Sequence, residues 1–260
     1  MTKTMPYPQG SLLFAPMEGV TDETYRLTIK DLYPEWDYYH TDFLRIPSQG
    51  HLSESRYIEH LGHRVFSNQN VLEKTGYQIL TTARANTQLA VETISKLPLK
   101  HLDLNLGCPS KKVNAHKGGA YLLEDLVELK RILGDIRKNF EHHFSVKIRI
   151  GYKNTDNFDE LLDTIQNSGV DSLTIHGRTR DQLYKGKADW SFIKRAVERL
   201  EIPVIGNGDL WTTEDVEAMF DVTGCYAVML GRGALKTPWL ATLYKDYGTN
   251  INEATLLEER

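Results

Sequence analysis

The chain has 260 residues, 40% of them hydrophobic and 25% charged, with a net charge of −4. This composition suits a folded domain and excludes disorder; no run approaches the roughly 20 apolar residues of a membrane span, and the slight acidity gives no overall basic field for nucleic acid. The opening MTKTMPYPQG lacks the apolar core of a secretory signal and the two cysteines, Cys108 and Cys225, make no disulfide scaffold, so the cytoplasm is the expected compartment.

Eight short β-rich runs alternate with helical patterns. The first expected strand, Leu12–Ala15, leads into APMEGVTD, where Pro16, Met17 and Glu18 follow the strand and Thr21-Asp-Glu-Thr reads as a helix cap. The second, Tyr38–Asp42, runs into residues 43–76, which are polar and glycine-bearing and show no single clean helix. The third, Tyr77–Thr81, contains Gln78, and apolar positions at three- and four-residue spacing predict a helix over Thr87–Leu97. The fourth, Leu102–Leu106, puts Leu102, Leu104 and Leu106 on one face and Asp103 and Asn105 on the other, then stops at Gly107 and delivers Cys108.

A helix is expected over Leu123–Phe140, then a fifth strand, Val146–Ile150, in which Lys147 and Arg149 alternate with apolar residues. A helix over Phe158–Ser168 precedes the sixth strand, Ser172–His176, which ends in His176-Gly-Arg178-Thr179. Beyond a helix over Trp190–Leu200, the seventh strand, Pro203–Gly206, runs into Asn207, Gly208 and Asp209, and Thr213-Glu-Asp reads as the next cap. The eighth, Ala227–Leu230, ends in Gly231, Arg232 and Gly233.

Alternating β and α units with near-continuous apolar strands predict a parallel sheet, and eight units in about 250 residues predict a closed TIM (β/α)8 barrel, an α/β fold. An open doubly wound sheet is the alternative, but no GxGxxG follows the first strand. In a barrel the active site lies at the carboxyl ends of the strands. The least expected residue of nearly every strand falls there, which points to an enzyme.

Lys147 must face the barrel interior, because its apolar neighbours claim the helix layer. A buried ammonium needs an anion or a strong acceptor, and a structural ion pair with Asp103 is the other reading. Arg149 shares that face nearer the rim. Cys108 reads as a candidate acid or nucleophile, or else as a small buried apolar residue. The loops GNGDL and GRGAL suggest an anion site with Arg232, against the alternative of ordinary turn glycines. Lys111, Lys112, His116 and Lys117, with Arg178, Arg180, Lys185 and Lys187 in GRTRDQLYKGKA, give a locally positive mouth suited to a polyanion. Cys225 and the four tryptophans, Trp36, Trp190, Trp211 and Trp239, read as packing residues.

Taken in order, APMEGVTD, YQIL, DLNLGCPSKKV with GGAYLL, VKIRIG, HGRT, GNGDL and GRGAL resemble the tRNA-dihydrouridine synthases from about residue 11 to residue 245. The resemblance implies a flavin mononucleotide (FMN) enzyme. Pro16, Met17, Glu18, Gln78, Lys147 and His176 match its flavin contacts, and Asn207, Gly208, Asp209, Gly231 and Arg232 match the part formed by strands seven and eight. NADPH is the implied reductant and tRNA the implied partner, with a uridine flipped out of its stack. Hydride transfer to C6 and a proton from Cys108 to C5 reduce that base. A thiol pKa of about 8.5 keeps Cys108 protonated at neutral pH, which suits an acid.

Asn105, Arg149 and Arg178 match the region that handles the uridine and neighbouring RNA. Neither a metal nor a membrane is expected. Residues 1–247 form the expected catalytic barrel, and 248–260 the expected start of the helical tRNA-binding domain that the family adds. Tyr121, after the glycine pair, is bulky for its place beside the active loop. Two other functions fit the same residues: an FMN barrel oxidoreductase acting on a free pyrimidine or small enone, and a non-catalytic RNA-binding barrel.

Overall fold

The computed structural model describes residues 4–246, so the tail 248–260 and the expected domain end at 247 lie outside the described residues. Its strands are β1 (Leu12–Phe14), β2 (Tyr38–His40), β3 (Leu44–Arg45), β4 (Thr75–Leu80), β5 (His101–Leu106), β6 (His143–Arg149), β7 (Ser172–His176), β8 (Val204–Asn207) and β9 (Ala227–Leu230). They pair in the order β2-β1-β9-β8-β7-β6-β5-β4-β3, and β2 also pairs with β4, which closes the sheet into a parallel TIM barrel. No helix among the described residues is long and apolar enough to cross a membrane.

The expected strand Tyr38–Asp42 is corrected to Tyr38–His40, and a second short strand, Leu44–Arg45, follows beyond the expected bounds. β2 lies against the start of β4, with His40 opposite Gly76, and β3 against its end, with Leu44 opposite Ile79. The Thr41 hydroxyl accepts the Gln78 N–H at 2.9 Å, so a side chain replaces a ladder carbonyl. The Asp42 carboxylate turns out to His60 at 3.1 Å. Together they interrupt one barrel position in the way a bulge does.

Helices surround the sheet. Residues 43–76 supply three short ones, Glu54–Leu61, His63–Phe66 and Gln69–Leu72. The helix expected from Leu123 begins at Leu126 instead. Gly119–Glu124 first makes a 3-10 turn, and Asp125 then caps the helix by accepting the Glu128 N–H at 3.1 Å. Asp22 caps the first helix, Glu23–Leu32, at 2.8 Å from Tyr25 N. The later cap is Thr212 rather than Thr213, in a reciprocal box with Asp215 at 3.3 and 3.1 Å.

The β5 alternation divides as expected. Leu102, Leu104 and Leu106 are buried in the layer between strands and helices, with Leu129, Ile132, Leu133 and Ile136 of helix Leu126–Asn139. Inside the barrel the filling is unequal. Leu13, Tyr38, Ile205, Ala227 and Met229 make an apolar half with Tyr7. The β5–β7 side carries buried polar residues instead: His101, Asp103, His143, Ser145 and Ser172. Buried polar groups are stable only when bonded. His101 Nε2 meets Ser145 Oγ at 2.7 Å, and His143 Nε2 meets Ser172 Oγ at 2.9 Å. Half the barrel floor is therefore a hydrogen-bonded platform, and it lies under the carboxyl ends of β5 to β7.

Candidate active site

Those carboxyl ends, with the ends of β1, β8 and β9, surround a cavity of ≈ 330 Å³. Ordinary small-molecule sites run from about 300 to 1,000 Å³. Parallel register brings the expected residues together. Asn105 lies opposite Lys147, Arg149 opposite His176, and His176 opposite Asn207. The cavity is lined by Pro16, Met17, Glu18, Asn105, Cys108, Lys147, Arg149, His176, Asn207, Gly208, Asp209, Gly231 and Arg232. Gln78 and Arg178 are not on its wall.

Lys147 Nζ donates to Asn207 Oδ1 at 3.1 Å, and Asn207 Nδ2 donates to the Met229 carbonyl at 2.6 Å. Asp103, the anticipated ion-pair partner, accepts instead from Gln78 Nε2 at 2.6 Å and from the Ser145 hydroxyl. Burial, with the neighbouring charge of Arg149, pushes the Lys147 ammonium down to about 8 despite the attraction of Asp103. An anion beside it would raise that value again. His176 is held neutral by burial and by the surrounding charges of Lys147, Arg149, Arg178 and Arg232. Its buried Nδ1 has no hydrogen-bond partner.

Cys108 is 8% exposed, and burial pushes its thiol up from the ordinary range. Its backbone is fixed at both ends. Asn105 Oδ1 accepts the Cys108 N–H at 2.9 Å, and Asn114 Nδ2 donates to the Cys108 carbonyl at 3.0 Å. A protonated thiol and a desolvated ammonium thus share one cavity.

Arg149 and Arg178 differ from expectation. Arg149 is 4% exposed, and its guanidinium donates to the carbonyls of Gly107, Thr179 and Leu183 at 2.9, 3.0 and 2.7 Å. It ties loops together while lining the cavity, in place of a solvated rim position. Arg178 is 2% exposed and donates to the Lys185 and Gly186 carbonyls and to Asp209 Oδ2, at 3.1, 2.6 and 2.6 Å. The basic loop folds back over its own first arginine, so this cation is unavailable to the surface. Removing these partners would leave a buried guanidinium uncompensated, which marks Arg178 as scaffold.

Asp209 is held the other way by the same contacts. Burial works to raise its carboxyl, but the Arg178 guanidinium and the Ala188 N–H at 2.7 Å outweigh that and hold it below the usual range. The two glycine loops pack on each other. A Cβ on Gly233 would stand 1.9 Å from the Leu210 carbonyl oxygen, so this glycine permits a close approach of backbones. Gly208, at φ +117°, takes a conformation that L side chains rarely adopt.

Aromatic residues of the wall were not legible as such in the sequence. The Arg232 guanidinium sits over the rings of Tyr184, at 4.5 Å, and Trp211, at 5.0 Å, and Arg149 lies 5.4 Å from Tyr184. Trp211 is therefore a cavity residue, correcting its reading as packing, and Phe43 joins it on the wall. The signals available were a tyrosine within a basic loop and a tryptophan directly after GNGDL. Tyr121 packs edge-on against Tyr152 at 5.9 Å rather than entering the cavity.

A second cavity, of ≈ 380 Å³, is lined by Arg45, Arg84, His116 and Lys117 with Leu80 and Val113. Leu80 and Val113 pack with Phe43 and Cys108 of the first cavity, so Cys108 belongs to the partition between the two. Arg45 reaches Glu18 at the first cavity's mouth, at 3.1 Å.

The model of the dihydrouridine synthase (Dus) family matches residues 13–259. The tRNA-dihydrouridine(16) synthase of Shewanella oneidensis is 33% identical over 251 residues, which cover 95% of this chain and 79% of that protein. The enzyme of the same name from Yersinia pestis is 35% identical over 239 residues, 90% of this chain and 76% of it. The tRNA-dihydrouridine synthase B of Pasteurella multocida is 34% identical over 233 residues, 89% and 68% of the two chains.

Among solved structures, a histamine dehydrogenase from Rhizobium sp. 4-9 superposes with a TM-score of 0.66 at 10% identity, over 95% of this chain and 46% of that one. The amine oxidase HisD of Pseudomonas geniculata N1 gives 0.65 at 10%, over 94% and 48%. This chain spans less than half of either, and the likeness is one of fold. The family match over nearly the whole chain, the relatives at a third identity and the closed barrel agree: the chain belongs to the dihydrouridine synthase family.

Proposed function

We propose that the protein is an FMN-dependent tRNA-dihydrouridine synthase, driven by NADPH, that reduces the C5=C6 bond of uridines in cytoplasmic tRNA, with residues 1–247 as its catalytic barrel. The observation that carries this reading is the pairing of a burial-raised thiol, Cys108, with a desolvated ammonium, Lys147, on one cavity. The names of the relatives supply the substrate class.

The residues present fit FMN. The unpartnered Nδ1 of His176, the ammonium of Lys147 and the amide of Asn207 offer polar groups to a ring edge, and Pro16 and Met17 offer apolar contact. Gly208, Gly231 and Arg232 are assigned to its phosphate, where backbone N–H groups and a cation meet anionic oxygens. Asp209 holds Arg232 at 3.4 Å, and Glu18 lies at the mouth. Gln78 acts from beneath the wall and Arg178 by shaping its loop.

FMN, when bound, supplies the electron pair for the reduction. Lys147, held by Asn207, would bind the ring edge and stabilise negative charge there. Cys108 keeps its proton at neutral pH and delivers it from Sγ to C5. Asn105 and Arg149 orient the base.

The basic second cavity, and the exposed Lys185 and Lys187, favour a polyanion over a free base. The deciding experiment compares NADPH oxidation with unmodified tRNA, free uracil and orotate, and measures dihydrouridine in the recovered RNA. The reading predicts tRNA-dependent oxidation with dihydrouridine formed. Turnover of uracil or orotate without RNA would instead identify a small-molecule reductase, and RNA binding by a protein that takes up no flavin a non-catalytic barrel.

A further inference from the structure

Beneath Cys108 runs a chain of side-chain hydrogen bonds whose direction is dictated throughout. Asp103, 1% exposed, accepts Gln78 Nε2 on Oδ2 at 2.6 Å. Gln78 Oε1 accepts Asn105 Nδ2 at 2.8 Å. Asn105 Oδ1 in turn accepts the N–H groups of Gly107 and Cys108 at 3.0 and 2.9 Å. Each amide has one donating and one accepting end. A carboxylate that only accepts therefore selects the NH₂ of Gln78, which leaves its oxygen to select the NH₂ of Asn105. What remains is the one atom of Asn105 that can accept both loop N–H groups. Turning either amide over would oppose two oxygens or two NH₂ groups.

The other side of Asp103 is held just as firmly. Its Oδ1 accepts the Ser145 hydroxyl. With that proton committed, Ser145 Oγ accepts from His101 Nε2, at 2.7 Å, and His101 Nδ1 accepts the Tyr38 hydroxyl at 3.1 Å. Two arms of donors thus end on a single carboxylate. No step of the proposed reaction requires an acid at this depth of the barrel.

We propose that Asp103 is a positioning residue for Cys108: acting through Gln78 and Asn105, it sets which end of each amide faces the loop and so holds the thiol in place. This role rests on Cys108 as the working thiol, but the test reads that thiol itself and needs neither FMN turnover nor RNA.

The test is the rate of Cys108 alkylation by iodoacetamide in the purified protein, followed by peptide mass. Cys225, buried at 2% exposure, serves as the internal control for general opening. Gln78→Glu, compared with the wild type at neutral and at raised pH so that any proton shared between the two carboxyls is removed, sets two acceptors against each other and takes away the donor to Asp103. Combining Asp103→Asn with Gln78→Glu restores the direction, because the carboxylate now at position 78 can accept both from the amide introduced at position 103 and from Asn105 Nδ2.

Cys108 in Gln78→Glu is expected to alkylate about tenfold faster than in the wild type, with Cys225 unchanged, and the double variant to return to within about twofold of the wild-type rate. An unchanged Cys108 rate, a parallel rise at Cys225, or a double variant no better than the single would overturn the proposal. Should Gln78→Glu not fold, Gln78→Met breaks the chain without adding charge, and the same comparison of Cys108 with Cys225 decides. Failure here leaves the proposed activity standing, and an inactive protein leaves this result standing.

Discussion

Cys108→Ala is expected to lower dihydrouridine formation about a thousandfold while flavin stays bound, within the span of about 10²–10⁴ that general acids contribute. The loop backbone is held by Asn105 and Asn114 through the Cys108 N–H and carbonyl, which alanine retains. The substitution therefore removes a proton source and little else. Cys108 is 8% exposed and burial raises its thiol, so it remains a thiol through neutral pH. Reduction of the bound flavin by NADPH should be unaffected, because that half of the cycle takes nothing from Cys108. Dihydrouridine per enzyme, measured by nucleoside mass analysis, checks this. A yield near the wild-type level would remove Cys108 from the acid role.

Lys147→Met is expected to weaken FMN binding about a hundredfold. The ammonium, ordinarily at 10.5, is pushed down to about 8 by burial and by Arg149. An anionic partner that restored it would gain about 1.4 kcal/mol per unit, or roughly two orders of magnitude in affinity over that interval. Methionine keeps the packing and supplies no charge. A pH dependence follows from the same ammonium. The charged form that attracts the ligand is present below about 8 and is lost as pH rises through that value, so wild-type affinity should fall there while that of Lys147→Met stays flat. Fluorescence titration of FMN across this range provides the check. Equal affinity and equal pH dependence in the two proteins would show that Lys147 does not face the cofactor.

The features legible in the sequence were those governed by period. Alternation in Leu102–Leu106 placed Asp103 and Asn105 inside the barrel, and the apolar neighbours of Lys147 left it only the interior. Parallel register did the rest, bringing Asn105 beside Lys147, and Arg149 and Asn207 to either side of His176, from strands far apart in the chain.

Loops obey no such period. Arg178 looked like a surface cation because nothing local shows that Lys185, Gly186 and Asp209 will close around it. Tyr184 and Trp211 owe their cavity positions to Arg232, which reaches both rings across the packed glycine loops. The break after His40 depends on one hydroxyl, that of Thr41, bonding Gln78 N on another strand. Gln78, expected as a flavin contact, has its amide held between Asp103 and Asn105, which its own strand does not show. In each case the deciding partner lies on a different element.

On the proposed function, one cavity has to serve both the flavin and the uracil ring. Diffraction from crystals of the FMN-loaded protein tests this most directly. The predicted result is one FMN per chain at the carboxyl ends of the strands, with its ring edge on Lys147 and Asn207, its phosphate by Gly208 and Arg232, and the Cys108 thiol beside an open space over the ring. Flavin density at any other place on the barrel, or a ring that fills the space beside Cys108 and leaves no room for a base, would contradict it.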